Sequence, residues 1–483
     1  FDLMEYQGNN KLQTAVPQRK VYDVNSVDNM LEDFNMQVTP TKFVVEGENF
    51  KTSPAKSTFH DRQNRGKTLV TLNPNLGLSD NIGVANSPCV VTILPKQQLE
   101  TYRYMHQTLN EKYEVLIERM ENLAEVIAKH YEIEITDPSS LNQSETSTVG
   151  RICCDSEGKL NQESVTLESL PYFGGKKVKL AINNLSSYAL FPGQIVGIQG
   201  INNFGSELNV TKILEIPLLP MCRTPSDTIM DYYGPSKLNG RPLNVVISSG
   251  PYMLDIEFKL EPLRELLNKM SAEKPDVLIL MGPFVDEDHP LIQAGEVNIT
   301  PGEIFSRKIA PMLLAFVRKS PNVKLIMIPS VKDICHDHIA FPQPPWDKSG
   351  IPESIICLPN PVQFKVNEVV FAIGNVDILC HLFQEETESL YPLFPPSMGV
   401  NLDLKHSSSL DLIYTPDVLV LPSKLKYFAK VLDNVICVNP GYLAKGSNTY
   451  AKMVIHPFPP NLASEAEVEH FVYQRTRVDI VRI

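Results

Sequence analysis

Residues 277–286 read Val-Leu-Ile-Leu-Met-Gly-Pro-Phe-Val-Asp, a run of five apolar side chains that ends at Gly282-Pro283. A short apolar run closed by turn residues predicts a strand buried on both faces. Similar apolar runs lie at 244–249, 323–328, 368–373, 418–421 and 435–438. Helix-type periodicity lies between strands at 257–270 and 304–317. This alternation predicts that residues 221–483 form an α/β domain.

The loops that follow these predicted strands are the first place to look for chemistry, because α/β domains bind ligands where their strands end. The loops are Ser249-Gly250-Pro251, Gly282–Asp286, Pro329–Asp333 and Pro422–Leu425. Their residues are mostly Pro, Gly, Ser and Val, and their charged residues are Asp286, Lys332, Asp333 and Lys424. Two carboxylates without a histidine make a poor site for two metal ions.

Residues 147–220 have a different pattern. Short strands are predicted at 149–154, 164–167, 177–182, 194–199 and 208–214, with turns such as Gly174-Gly175 and Pro192-Gly193 between them. Five short strands suit a small barrel of the oligonucleotide/oligosaccharide-binding (OB) type. An immunoglobulin-like sandwich, which needs about seven strands, fits less well.

Residues 98–140 are predicted to contain a long amphipathic helix. Apolar side chains recur in steps of three or four, which places them on one helical face: Tyr102, Met105, Leu109, Tyr113, Leu116, Met120, Leu123 and Ile127. We expect this face to pack on its own chain, although a coiled-coil partner is an alternative.

Residues 1–97 are polar and interrupted by proline, which predicts an extended tether with short docked segments. Ser53-Pro54-Ala55-Lys56 has the Ser-Pro-x-Lys form that proline-directed kinases favour, so Ser53 is a candidate phosphorylation site. A phosphate there would add a charge of about −2.

Charge and cysteine usage exclude several classes of function. The 44 Lys and Arg residues against 56 Asp and Glu give a net charge of −12, which disfavours tight binding of naked nucleic acid. The eight cysteines form no CxxC pair, so the usual structural zinc pattern is absent. The dense group Cys335-His336-Asp337-His338 matches no zinc spacing and is expected to make local hydrogen bonds. No Gly-rich phosphate loop occurs, and we expect no cofactor or metal.

Several phrases of the sequence, taken together, resemble one family. They are Asn64-Arg65-Gly66, Leu190–Gln194, Gly282–Asp286, Pro329–Asp333, Thr415–Leu419, Val438–Gly441 and Val481–Ile483. With the order of small barrel and α/β domain, they resemble the B subunits of the replicative DNA polymerases. The resemblance implies an OB-fold domain followed by a domain with the calcineurin-like phosphoesterase fold.

The resemblance further implies that each of the four loops carries a motif in active members of that fold. In chain order the motifs are Asp-x-His, Gly-Asp-x-x-Asp, Gly-Asn-His followed by Asp or Glu, and Gly-His-x-His. The corresponding positions in this chain hold Ser249 and Pro251, then Pro283, then Ser330, Val331 and Lys332, and finally Ser423 and Leu425. Asp333 is retained in the third loop, and Gly282 and Asp286 in the second. The resemblance therefore implies a dismantled metal site and a protein that is not an enzyme.

Within the family the phrases are most similar to the polymerase α–primase branch. That resemblance implies a nuclear regulatory or scaffold subunit that supports primer synthesis at the initiation of DNA replication. Its expected partner is the C-terminal domain of the catalytic polymerase subunit, with primase joining through the complex and DNA contact weak or indirect. Three alternatives stay open: a B subunit of polymerase δ or ε, an active metallophosphoesterase or exonuclease, and a single-strand-binding module working through the barrel.

Overall fold

The structure is a computed structural model that describes residues 59, 62, 64–78, 89–95, 97–155, 160–255, 258–348, 350–379, 396, 400–460 and 465–483. Ser53, the candidate phosphorylation site, lies outside these residues. Within the described ranges, none of the helices has the length and apolarity that crossing a membrane requires.

The strands are, in chain order, β1 Thr68–Leu72, β2 Val91–Ile93, β3 Thr146–Cys154, β4 Val165–Ser169, β5 Lys177–Ala181, β6 Ile195–Ile201, β7 Glu207–Leu214, β8 Arg223–Pro225, β9 Leu243–Ser249, β10 Val277–Met281, β11 Lys324–Ile328, β12 Ala340–Phe341, β13 Ile356–Cys357, β14 Val362–Val366, β15 Val369–Ile373, β16 Asn401–Leu402, β17 Val418–Val420, β18 Phe428–Leu432, β19 Val435–Asn439, β20 Thr449–Ile455, β21 Glu467–Glu469 and β22 Thr476–Arg482.

The helices are α1 Leu109–Tyr131, α2 Ser226–Tyr232, α3 Glu261–Glu273, α4 Pro290–Gln293, α5 Pro301–Ile304, α6 Ala310–Lys319 and α7 Val472–Arg475. A turn of π-helix, Phe305–Ile309, joins α5 to α6, so the segment predicted as one helix has three parts. Among the described residues, 3₁₀ segments include Pro171–Phe173 and Leu404–Ser409.

Two sheets packed face to face build the α/β domain. The larger has the order β1-β22-β20-β9-β10-β11-β13 and the smaller β18-β19-β17-β15-β14-β2. Successive residues of β10 pack on opposite faces of the sheet, since side chains alternate along a strand. Ile279 enters the core between the sheets, whereas Leu278 and Leu280 pack against the helices on the outer face. The apolar run at 277–281 is thus a strand buried on both faces, as predicted.

The five strands β3 to β7 close into a barrel in the order β3-β4-β5-β7-β6. They coincide closely with the five short strands that the sequence predicts. Gly150 has no room for a side chain, because a Cβ there would collide with the Glu168 carbonyl of the neighbouring strand. Helix α1 covers one side of the barrel, where Ala124 and Ile127 pack with Leu214.

The prediction of a helix that already includes residues 98–108 is wrong. Helix α1 begins only after Thr108, which forms a capping box with Glu111: each side chain bonds the other residue's backbone N–H. Residues 97–108 form an extended segment, here called the strap, so Tyr102 and Met105 are not on the helical face. Glu132, in the left-handed conformation, ends the helix.

Parts of the predicted tether are strands of the α/β domain. Strand β1 pairs antiparallel with β22, and β2 pairs antiparallel with β14. Phe59 is also buried, with 4% of its surface exposed, among the residues that pack around α3. Short segments of this region therefore belong to both sheets.

A charged group lies between the sheets and the C-terminal segment. Arg475 Nη2 is 2.7 Å from Glu368 Oε1, and the Tyr233 hydroxyl donates to the same oxygen at 2.7 Å. Arg475 is 5% exposed and Glu368 is fully buried. The charge of each residue is therefore balanced chiefly by the other, away from water.

We expect Arg475→Met to lower the free energy of unfolding by about 3–5 kcal/mol, because it leaves the Glu368 carboxylate buried without its counter-charge. Urea unfolding measures this. As a control, Arg223→Met removes an arginine whose side chain is 50% exposed and pairs with Glu465, and should cost about 0–1 kcal/mol. Equal losses in the two variants would contradict this account of the buried pair.

Candidate functional site at the strand-end loops

The first three loops meet at one edge of the larger sheet. Strands β9, β10 and β11 are parallel neighbours, so their carboxyl ends lie side by side. Gly250 and Gly282 allow the loops to touch: a Cβ on Gly250 would collide with the Pro283 carbonyl, and one on Gly282 with the Asp333 carboxylate. The structure therefore brings together loop residues that are far apart in the sequence.

Asp333, the retained acidic residue of the third loop, is 1% exposed. Its Oδ1 accepts hydrogen bonds from the backbone N–H groups of Phe284 and Val285, and its Oδ2 accepts one from Ser330 at 3.1 Å. Burial raises the pKa of Asp333 to about 8. The three N–H donors favour the carboxylate and lower the pKa, but burial has the larger effect. Both oxygens are thus engaged by the backbone of the loops.

Asp286, the retained acidic residue of the second loop, is neutralised by a lysine. It is 3% exposed, and Lys445 Nζ lies 2.9 Å from its Oδ2. The same ammonium is 3.4 Å from Asp255. Burial works against the charge of Lys445, but the two carboxylates outweigh it and raise the pKa of the lysine above its ordinary value. The ammonium group of Lys445 therefore already balances the negative charge of Asp286.

In the first three loops, the positions that the resemblance identifies as replaced make mainly structural contacts. The Ser249 hydroxyl donates to the Gly250 carbonyl at 3.3 Å, and the Pro251 carbonyl accepts from Ala444 at 3.1 Å. Lys332 points to Asp288, with 2.6 Å between Nζ and Oδ2. None of these contacts leaves a set of side-chain donors directed at a common point.

Val331 borders an apolar cluster that links the two domains. Phe191, from the loop between β5 and β6 of the barrel, is 6% exposed and packs with Phe341 and Leu410 of the α/β domain. Val331 packs against the same cluster. An apolar side chain at position 331 therefore suits the insertion of the barrel loop beside the strand-end loops.

The fourth loop is held by its own backbone and by Asn439. The Ser423 hydroxyl accepts a hydrogen bond from the Leu425 N–H at 3.1 Å, and Asn439 Oδ1 accepts from the Ser423 N–H at 3.1 Å. Asn439 Nδ2 donates back to the Leu425 carbonyl at 3.2 Å. These bonds fix the loop through amide, hydroxyl and backbone groups.

Three buried amides hold the loops together, and sequence reasoning missed them. Asn375 Nδ2 donates to the Gly282 carbonyl at 3.0 Å and to the Pro329 carbonyl at 2.9 Å. Gln343 Nε2 donates to the Ser330 carbonyl. Asn360 Nδ2 donates to Gln343 Oε1, and Asn360 Oδ1 accepts from the backbone N–H of Asn375. A usable signal was present, since Gln343 and Asn360 each stand between two prolines, which offer no N–H donors.

The histidines of the group at 335–338 contact the strap and Trp346. The His338 N–H donates to His336 Nδ1 at 3.1 Å, and the His336 ring meets Trp346 edge-on. Tyr102 of the strap lies between His338, 4.3 Å away, and His406, 3.7 Å away between ring centres. Burial lowers the pKa of His338 to about 4, so the ring is neutral here. Across the part of the chain that the structure describes, no group of three His, Cys, Asp or Glu residues is arranged to hold a metal ion.

Two protein-family models match the chain. The model for the OB domain of the DNA polymerase alpha B subunit matches residues 113–216, and the model for the DNA polymerase alpha/epsilon B subunit matches residues 245–430. The first match confirms the OB barrel. A solved archaeal phosphodiesterase is similar to this chain at 12% identity, and the match covers 47% of this chain and 98% of that chain. Its TM-score is only 0.22, so the likeness carries no argument about the fold.

Curated relatives match over most of the chain. The DNA polymerase alpha B subunit of Schizosaccharomyces pombe is 32% identical over 92% of this chain and 84% of the relative. The same protein of Rattus norvegicus is 29% identical over 84% and 71%, and that of Saccharomyces cerevisiae 28% over 87% and 72%. The predicted resemblance is thus confirmed, and the chain belongs to the family of DNA polymerase alpha B subunits, which are DNA-replication proteins.

Proposed function

We propose that the chain is a non-catalytic regulatory and scaffold subunit of DNA polymerase α–primase. It binds the C-terminal domain of the catalytic polymerase subunit, and primase joins through the resulting complex. It acts in the nucleus, where it supports primer synthesis at the initiation of replication. The relatives named as subunits of DNA polymerase alpha support this role.

One observation supports the non-catalytic part of the proposal above all others: both retained acidic residues are satisfied by the chain itself. Asp333 accepts hydrogen bonds from three backbone N–H groups, and Asp286 is paired with Lys445. Hydrolysis by two metal ions needs oxygen or nitrogen ligands that converge on each metal. The donor set of these loops does not fit such a pair.

The contacts between the domains support the scaffold part. Phe191 of the barrel is buried in the α/β domain, and Lys405 of that domain lies 3.5 Å from Glu111 of α1. The strap adds Tyr102, whose hydroxyl donates to the Pro342 carbonyl at 2.5 Å. Since permanent partners usually bury more than about 2,000 Å² in total, a joint surface of two fixed domains suits a stable complex.

Co-expression with the C-terminal domain of the polymerase α catalytic chain should give a one-to-one complex. Its mass, measured by native mass spectrometry, should be the sum of the two chains. The corresponding domains of the polymerase δ and ε catalytic chains serve as specificity controls and should not co-purify. Failure to form the α complex, or equal capture of the other domains, would overturn the proposed partner.

The purified chain should not hydrolyse a generic phosphodiester or single-stranded DNA in the presence of Mn²⁺, because its loops lack a convergent ligand set. Its rate should equal that of the Asp333→Asn variant and of a no-protein blank. Turnover by the unaltered chain that disappears in Asp333→Asn would instead support the alternative of an active phosphoesterase.

Asp333→Asn should reveal a structural role that depends on pH. An ordinary aspartate ionises near pH 4 in the unfolded chain, whereas burial raises the pKa of folded Asp333 to about 8. The folded state therefore binds one more proton between these values, and its stability falls as the pH rises through that window. Asparagine does not titrate, so the stability advantage of the unaltered chain over the variant should shrink from pH 5 to pH 8.

Urea unfolding at four pH values between 5 and 8 tests this. The control is Asp288→Asn, at a carboxylate whose side chain is 51% exposed, and its difference from the unaltered chain should vary much less with pH. An advantage over Asp333→Asn that stays constant with pH would show that the buried carboxyl does not titrate in this window.

A further inference from the structure

Helix α1 has one apolar stripe whose two halves have different surroundings. Leu109 and Ile127 are eighteen residues apart, which is about five turns, so they lie on the same side of the helix. In the C-terminal half, Ala124 and Ile127 are buried against the barrel. In the N-terminal half, Leu109 and Tyr113 are 83% and 61% exposed. The stripe that covers the barrel therefore continues into side chains that face solvent.

The exposed half of the stripe lies beside an exposed aromatic residue of the barrel. Tyr172 belongs to the 3₁₀ segment of the barrel, and most of its surface is open to solvent. Its ring centre is 4.4 Å from that of Phe173, which packs against the same apolar cluster as α1. We call the surface formed by Leu109, Tyr113, Ile117 and Tyr172 the α1 patch. Scattered exposed apolar residues are normal on proteins, whereas an aligned set that includes two tyrosines is typical of an interface.

An acidic row runs along one side of the α1 patch. Glu114, Glu118 and Glu121 follow one another in steps of four and three, so they share a line on the helix, and all three are exposed. Among the residues that the structure describes, none of the three takes part in an ion pair. Glu111 is different, because it forms the capping box and lies 3.5 Å from Lys405.

The basic residues of this half of α1 lie on the other side of the patch. Lys112 and Arg119 are seven residues apart, which is about two turns, so they share a side of the helix. Burial raises the pKa of Asp411 in the α/β domain, and Arg119 opposes that effect, so this arginine is already close to a carboxylate. The acidic row is thus left with its charges facing solvent.

We propose that the α1 patch binds a basic amphipathic helix of a partner protein. Apolar side chains of that helix, spaced three or four residues apart, pack on Leu109, Tyr113 and Tyr172. Its lysine and arginine side chains lie along the acidic row and pair with it. An acidic helix is excluded, because like charges would then face each other. The proposal does not depend on the catalytic polymerase chain, since every residue of the patch and of the row belongs to this chain.

Selection from a phage-displayed library of random peptides on the full, unaltered chain tests this. Peptides of about sixteen residues, or about 24 Å as a helix, are long enough to cover the patch. Peptides that bind this chain but not Leu109→Ala/Tyr113→Ala should carry a net positive charge and apolar residues at helical spacing. Both side chains are exposed, so the double variant should keep its thermal midpoint; if it does not, Tyr113→Ala replaces it.

Fluorescence anisotropy with one selected peptide then measures each contribution. The double variant should weaken binding by about tenfold or more, since exposed tyrosines are frequent binding hot spots. Removing the acidic row in Glu114→Gln/Glu118→Gln/Glu121→Gln should weaken it by about threefold or more. Leu432→Ala is the matched control, because it removes an exposed leucine of β18 in the α/β domain, and it should leave the affinity unchanged.

Three results would overturn the proposal. The first is a selection that yields no peptide whose binding depends on Leu109 and Tyr113. The second is a set of patch-dependent peptides that lack positive charge or keep their affinity in the glutamine variant. The third is a dimer of the unaltered chain, seen by native mass spectrometry, that dissociates in the double variant, because it would identify a second copy as the occupant.

Discussion

The hydrogen bonds to Asp333 are the constraint on which the strand-end loops depend. A carboxyl group that is removed from water must find partners, and this one finds three backbone N–H groups from two loops. Those bonds are possible only because Gly282 leaves space for the carboxylate. The carboxyl group of Asp333 thus anchors the loops that follow β10 and β11 to each other.

Much of this fold could be predicted from local patterns. The predictions of a buried strand at 277–281 and of five short strands in the barrel are confirmed. They succeed because burial and turn chemistry act on neighbouring residues. The start of α1 was misplaced because periodicity continues through the strap, whereas the capping box at Thr108 decides where the helix begins. A stripe of apolar residues does not reveal that Tyr102 packs against two histidines from distant segments.

The candidate site also has features that local patterns predict and features that they do not. The strand-end loops could be located from the sequence, because they stand directly after predicted strands. The partners that hold them could not, since Lys445 lies 159 residues from Asp286, and Asn375 lies 93 residues from Gly282. These contacts arise only when two sheets and their loops have assembled. Contacts between residues so far apart in the sequence are therefore harder to predict than the positions of the loops themselves.

The position of β22 has a consequence for how the protein is made. This strand, Thr476–Arg482, lies between β1 and β20, so residues from opposite ends of the described chain are neighbours in one sheet. Pairings of such long sequence separation form slowly, because a large loop must close before they contribute. During translation, β1 must wait without its neighbour for about four hundred residues to be added. The larger sheet can therefore be completed only after β22 has been synthesised, long after β1.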